Sequence, residues 1–461
     1  MRAIPLSTLA LGLCLSSPAF AQDDAQMREE IAAMREAMAA MAARIDTLEA
    51  ELAETEARAD AASARAGEAA AAATAATAAA ATVAADAAKG PTVAFKGAPE
   101  FKGEGGWRFK PHGRLQYDAG FVSVPSSTGR ADGFGSEVRR ARLGVSGDMP
   151  GGIGYKFEVD FAGNEVNVTD ALVTYRAGAS EFTVGQFNNF QSLEELTSSL
   201  NTSFIERAAF TDAFGFERRL GAAAQFKGKH MLVQAGLFTD NVNDQSNQNW
   251  GADARVVAMP DIGSAKLHLG ASVHYADLEA GSAVRYRQRP LVHFTDERFV
   301  NTGTLAAQGE LGFGLESALI AGPFHAAAEG FWQQVDMPAG MADPTFFGGY
   351  AEVGYFLTSG DTRGYKDGKF DRTKPKNPVD AGGMGSLQFN LRYDRLDLSD
   401  AGIVGGTQNG YYASLVWKPT DYTMLLANYG RLEYSDAVHA EANGDRNYAA
   451  DVFALRAQID F

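Results

Sequence analysis

The sequence predicts an all-β fold, a 16-stranded antiparallel transmembrane β-barrel carrying an N-terminal α-helical coiled-coil stalk. Three observations predict it. From Arg139 onward Ala141, Leu143, Val145, Gly147 and Met149 share one face, while Arg140, Arg142, Gly144, Ser146 and Asp148 share the other. That period of two is the signature of a pleated strand. Pro150-Gly151-Gly152 breaks the chain, and Ile153, Tyr155, Phe157, Val159 and Phe161 resume the alternation against Lys156, Glu158 and Asp160. Hairpins of this kind follow one another to Phe461 with no helical pattern to cover their apolar faces, so outer-membrane lipid is the expected neighbour.

The chain reads in four parts. Residues 1–21 form a signal peptide, with Arg2 as the positive start, Leu6 to Leu15 as the apolar core and Ala19-Phe20-Ala21 as the cleavage site. The one cysteine, Cys14, lies inside it, so the exported protein has no thiol for a disulfide, a metal or a nucleophile. Residues 22–56 form a coiled coil. Met27, Ile31, Met34, Met38, Met41, Ile45, Leu48 and Leu52 alternate spacings of four and three, and a strict 3.5-residue seam stays aligned only when helices supercoil together. A lone amphipathic helix packed on its own domain is the alternative.

Residues 57–98 form an alanine-rich helical spacer and linker, and a helix running from Met27 to Ala88 would reach about 90 Å at 1.5 Å per residue. Residues 99–461 form the barrel. The expected location is the outer membrane, with the coiled coil in the periplasm and in reach of the cell wall.

Loop lengths orient the barrel, because outer-membrane barrels place short turns in the periplasm and longer loops outside. Pro150-Gly152, Gly178-Ser180, Lys227-Lys229, Pro260-Ser264, Ala321-Pro323 and Pro419-Asp421 read as turns. Val122-Glu137, Asn188-Glu217, Asn241-Trp250, Leu278-Thr304 and Gly430-Ala449 read as loops. Alternating sides then closes on sixteen strands, the first near 107–121, a late pair near 385–397 and 410–418, and the last near 450–461. Val284 to Phe294 has strand character, yet parity assigns it to a loop. Thr358 to Gly383 is long for the turn side.

Several blocks resemble, in order, the phosphate-selective porins of the O and P type. They are Arg139-Arg140-Ala141-Arg142-Leu143-Gly144, the Tyr155–Phe161 strand, Thr183-Val184-Gly185-Gln186-Phe187, Ser192–Ser199, Ile205-Glu206-Arg207 and Arg218-Arg219-Leu220-Gly221. Tyr286-Arg287, Arg289-Pro290, Lys374–Pro378, Arg392-Tyr393 and Leu396-Asp397 continue the likeness, which covers about residues 100–461. The terminal Phe461 resembles the signal read by the outer-membrane assembly machinery. The resemblance implies a homotrimer of sixteen-stranded barrels and passive diffusion of small anions, phosphate-type solutes first. It also implies that arginines at the positions of Arg114, Arg139, Arg140 and Arg219 belong to a ladder guiding anions.

Parity by itself turns Arg114, Arg140, Arg142 and Arg219 toward the lumen, together with Glu158 and Asp160, and puts Arg139 on the other face. The loop Asn188 to Glu217, with Asn188, Asn189, Glu194 and Glu195, is the natural constriction, since Phe190, Leu193, Leu196 and Phe204 need a place to be buried. Packing over neighbouring loops is the alternative. The family it resembles usually carries lysine directly after Gly-Gln-Phe, whereas this chain has Asn188-Asn189. With Glu310, Glu329 and Glu352 also reading inward, a weakly selective general porin is the competing function. An outer-membrane hydrolase and an envelope tether are further alternatives. The net charge of −16 argues against a nucleic-acid partner. No catalytic residue, metal site or cofactor is expected: no nucleophile elbow occurs, His268 and His274 are widely spaced, and Asp361-Thr362-Arg363 does not make a calcium loop.

Overall fold

The computed structural model describes residues 24–86, 91–244 and 248–461; the expected signal peptide lies outside them. The chain divides into two compact units between Gly90 and Pro91.

The first is a single helix, α1 (Asp24–Asp86), of 63 residues. Its residues are strong helix formers, and alanine dominates the second half. Thr47, Thr55, Thr74 and Thr77 return their hydroxyls to the carbonyl one turn back, which keeps those polar groups from competing with the helix ladder. Every member of the Met27–Leu52 seam stands exposed, between 45% for Ile31 and 62% for Met34. The seam is therefore unpartnered in a single copy.

The second unit is a closed barrel. Its strands are β1 (Arg108–Ser123), β2 (Gly133–Met149), β3 (Ile153–Asp160), β4 (Asn167–Ala177), β5 (Ser180–Asn188), β6 (Arg218–Lys227), β7 (Met231–Phe238) and β8 (Trp250–Ala258). They continue with β9 (Ala265–Asp277), β10 (Gly309–Ala321), β11 (Phe324–Asp336), β12 (Thr345–Phe356), β13 (Ser386–Asp400), β14 (Ile403–Thr420), β15 (Thr423–Ser435) and β16 (Tyr448–Asp460). Each pairs antiparallel with the next, and β16 returns to β1 in the register Asp460↔Arg114 to Asp451↔Ser123. Closure removes the free edges that an open sheet would expose. Phe461 completes the seam by exchanging backbone hydrogen bonds with Gly113 at 3.1 Å. A side chain at Gly113 would meet the Phe461 ring at 2.5 Å, so only glycine lets that ring lie across β1.

The two faces divide as the alternation predicts. Leu143 is 54% exposed on the outside while Arg140 is 6% exposed on the inside. The expected strand count of sixteen stands, the assignment of Val284–Phe294 to a loop stands with it, and two local readings differ. Residues 92–102, expected as linker and lead-in, form the hairpin Thr92–Lys96 with Ala98–Lys102, which pairs onto β1 through Phe101↔Phe109. β14 starts at Ile403 rather than near 410, because Ala401 and Gly402 both take positive φ and close a two-residue hairpin. Val284–Phe294 makes only two short pairings within its loop, 283–284 with 305–306 and 287–288 with 300–301.

Two connections enter the lumen from opposite ends. From the loop end, 189–217 crosses the barrel with the short helices α2 (Leu193–Leu196) and α3 (Ala209–Ala213). From the turn end, 357–385 folds inward as the hairpin Gly364–Lys366 with Lys369–Asp371, which explains its length. Together they convert a wide aqueous cylinder into a narrow passage.

Candidate functional site

The crossing loop enters the lumen because its apolar residues have no other dry surface. Leu193, Phe204, Ile205 and Phe210 are buried in one cluster with Phe331, Phe346, Tyr350 and Leu396 of the wall. Phe210 stacks near Phe331 at 6.2 Å between centroids and 16° between planes. Room for it comes from Gly348, where a Cβ would fall 2.3 Å from the Phe210 Cβ.

The loop is also tied by charge to one side of the wall. Backbone N–H groups of Leu193 and Glu194 donate to the two oxygens of Glu329 at 2.8 and 2.7 Å, and that of Ala209 donates to Asp394 at 2.8 Å. Ser203 donates to Glu352 at 3.1 Å. Arg392 bridges Glu194 at 2.7 Å and Glu352 at 2.6 Å, with Phe204 and Tyr350 against its guanidinium. A dry carboxylate is costly unless its lone pairs are used; the donors meet that need at both oxygens of Glu329 and Glu352, while at Asp394 only one oxygen is engaged. The inward-facing acidic residues Glu329, Glu352 and Asp394 of β11–β13 are thus covered by the loop and withdrawn from the water path.

Two adjoining cavities lie between the loop and β1–β6. An outer cavity of 540 Å³ is lined by Arg139, Asp160 and Glu206, and an inner chamber of 350 Å³ by Arg114, Lys156, Asp170, Asn188 and Lys369. The two share Arg140, Arg142, Glu195, Arg207 and Arg218. Their boundary is therefore ringed by four guanidinium groups and one carboxylate. Arg140 and Arg142 come from β2 and Arg218 from the start of β6. Arg207 is held by the loop itself, donating to the carbonyls of Glu194, Glu195 and Thr197 at 3.0, 3.1 and 2.8 Å. Arg142 meets Asp160 at 2.7 Å, Arg218 meets Asp170 at 2.9 Å and Arg207 meets Glu195 at 3.4 Å. Burial pushes Glu195 above the usual carboxylate range, and Arg207, Arg218 and Arg140 offset only part of that push. At Glu206 burial works the same way, but Arg139, Arg140 and Arg456 outweigh it and hold the group well below that range.

The residues singled out by sequence take distinct places. Arg140, Arg142 and Glu195 meet at the ring, with Asp160 just outside it and Arg114 and Asn188 just inside. Glu158 sits behind the wall surface, fully buried, with Arg142 at 3.3 Å, His112 at 3.4 Å and Arg114 at 3.5 Å. Glu194 turns to Arg392 and away from the passage. Asn189 is buried and lines neither cavity, and among the described residues its amide has no partner. Arg219 stands apart, in a mouth cavity with Arg285, Arg287, Arg289 and Arg298, and meets Asp240 only at 3.9 Å.

Parity misplaces Arg139. The β1–β2 register pairs Gln116 with Arg140 and Tyr117 with Val138, so Arg139 is the extra residue of a β-bulge. A bulge breaks the two-residue alternation and lets consecutive side chains face one way. Arg139 therefore lies inside, with Nε donating to Glu206 at 2.7 Å. Sequence reasoning also passed over Arg207, Arg218, Lys156 and Lys369. Lys156 was legible from parity, whereas the other three depend on a loop, a strand end and an inserted turn. Among the described residues no group of His, Cys, Asp or Glu is arranged to hold a metal ion.

Comparison with known proteins agrees with this architecture. Residues 109–461 match the family described as phosphate-selective porin O and P. An uncharacterized protein of Caulobacter vibrioides is 46% identical over 383 residues, spanning 80% of this chain and 77% of that one. Among solved structures, a loop L8 deletion mutant of the Vibrio cholerae outer-membrane protein OmpT aligns at 12% identity and a TM-score of 0.51, covering 77% of this chain and 100% of the other. Pseudomonas putida OprB aligns at 12% identity and a TM-score of 0.50, covering 78% and 95%. The last two show the fold alone. The sixteen-stranded closed barrel and the match along nearly all of it identify the chain as a member of the phosphate-selective porin O and P family of outer-membrane channels.

Proposed function

We propose that the barrel conducts small anions by passive diffusion, phosphate-type solutes first, through the passage between the crossing loop and β1–β6. The observation that carries this reading is the ring of Arg140, Arg142, Arg207 and Arg218 around a single Glu195. Guanidinium groups stay charged and can fork onto phosphate-like oxygens. Selectivity of a pore follows from the charge at its narrowest water-filled section. Glu329, Glu352 and Asp394 of β11–β13 are taken up in anchoring the loop, which leaves a basic wall facing the solute. Family membership supports the same reading and favours a channel over a hydrolase.

The competing reading is a weakly selective pore, favoured by the carboxylate beside each ring arginine and by asparagine at 188. Planar-bilayer recording under a salt gradient separates the two. A reversal potential of anion sign, with phosphate slowing the chloride current, supports the proposal; a potential near zero or of cation sign overturns it.

The assembly is proposed to be a homotrimer in the outer membrane, with α1 on the periplasmic side forming a coiled coil through its exposed seam. Strict heptad spacing supports self-association of α1. Ile45→Glu would place a charge in that seam, and loss of trimers in analytical ultracentrifugation, with the barrel still folded, is the expected result. Contact between the stalk and the cell wall is tested by sedimentation with purified peptidoglycan.

A further inference from the structure

Six of the cations lining the inner chamber are already ion-paired. Arg114 and Arg142 share Glu158, Lys156 and Arg218 share Asp170, Arg140 reaches Glu206 and Arg207 reaches Glu195, all within 4.0 Å. Part of their field is cancelled by carboxylates fixed beside them. Lys369 is different. It lines the same chamber, its side chain is solvent-exposed, and among the described residues it has no carboxylate partner within 4.0 Å.

Its position is built rather than incidental. Next to it, the Gly368 carbonyl accepts from Arg255 Nη2 at 2.7 Å, and Arg255 is itself clamped to Glu316 at 2.6 and 3.0 Å. On the other side Phe370 is buried beneath the Arg363 guanidinium, 4.7 Å from its ring centroid. Asp367 is tied to Lys227 and Tyr365 to His268. With both neighbours pinned to the wall, strand alternation sends the Lys369 ammonium into the water of the chamber. Asn188, where the family resemblance leads one to expect lysine nearby, faces the same space.

We infer that Lys369, delivered by the turn-end insertion, is a specificity-determining cation of the inner chamber and takes its counter-ion from the passing solute. An ammonium without a fixed partner must draw an anion from solution, so it raises the local anion concentration more than a paired guanidinium does. The inference rests on the anion-channel reading above and concerns which residue supplies the preference.

The test compares wild type, Lys369→Gln, Lys369→Arg and, as a control on the same turn, Lys374→Gln, each as purified full-length protein in planar bilayers with potassium chloride. Lys369→Gln is expected to lower the anion-over-cation permeability ratio by about threefold, the size of one charge seen across several ångströms of screened water. Lys369→Arg and Lys374→Gln are expected to keep the wild-type ratio. Equality of Lys369→Gln with wild type overturns the inference and leaves the anion reading intact. A loss in Lys369→Arg as large as in Lys369→Gln also overturns it, by assigning the effect to packing. A wild-type potential of cation sign overturns the anion reading, while the shift between wild type and Lys369→Gln still decides the role of Lys369.

Discussion

Arg139 on β2 donates to Glu206 on the crossing loop at 2.7 Å, and Arg456 on β16 reaches the same carboxylate at 3.0 Å. Two wall segments thus hold one loop residue, and Arg140 adds a third cation at 3.8 Å. Removing the carboxylate leaves buried guanidinium groups facing each other. Glu206→Ala is expected to cost about 3 kcal/mol, the size found when one partner of a buried charge pair is deleted. A lower unfolding temperature on heated gel electrophoresis, with noisier single-channel current, is the checkable result.

Arg142 stands at the ring and points into both cavities. Arg142→Gln should lower the anion-over-cation permeability ratio by about threefold at low salt, with the difference fading as salt screens the charge. A ratio unchanged at every salt concentration would show that its pairing with Asp160 already cancels it.

Glu195 is the carboxylate of the ring, and burial raises its pKa. On acidification it gains its proton before an ordinary carboxylate, so the ring becomes more positive. The anion preference of wild type should rise as the pH falls below neutral, and Glu195→Gln should show the higher preference already at neutral pH with a flatter profile. Reversal potentials across a pH series measure both.

Gly348 makes room for Phe210. Gly348→Ala forces a methyl into that space, and overpacking of this kind costs about 2 kcal/mol. The expected outcome is displacement of the crossing loop from β12, seen as larger conductance and weaker ion selectivity with the barrel still folded. Unchanged conductance would mean that the loop is held by its charge ties to Glu329, Asp394 and Arg392 alone.

Strand number and the inside and outside faces were legible in the sequence. Alternation is a property of each segment by itself, and lipid on one side with water on the other keeps it clean. Leu143 and Arg140 are examples, set three residues apart on opposite faces. Arg139 shows where local reading stops. A bulge depends on the register with β1, and nothing in the residues 138–142 alone records that register.

The sequence by itself determined the closed barrel, the heptad seam along α1, and the presence of a loop too apolar for water. The tertiary structure alone decided which charges meet the solute. Glu329, Glu352 and Asp394 share an inward-facing pattern with Arg140 and Arg142, yet a loop distant in sequence covers the first three and leaves the other two open. Lys369 reaches the chamber only because a turn from the far end folds in beside it. Faces are set by neighbours along the chain, whereas exposure in a lumen is set by whatever else fills it.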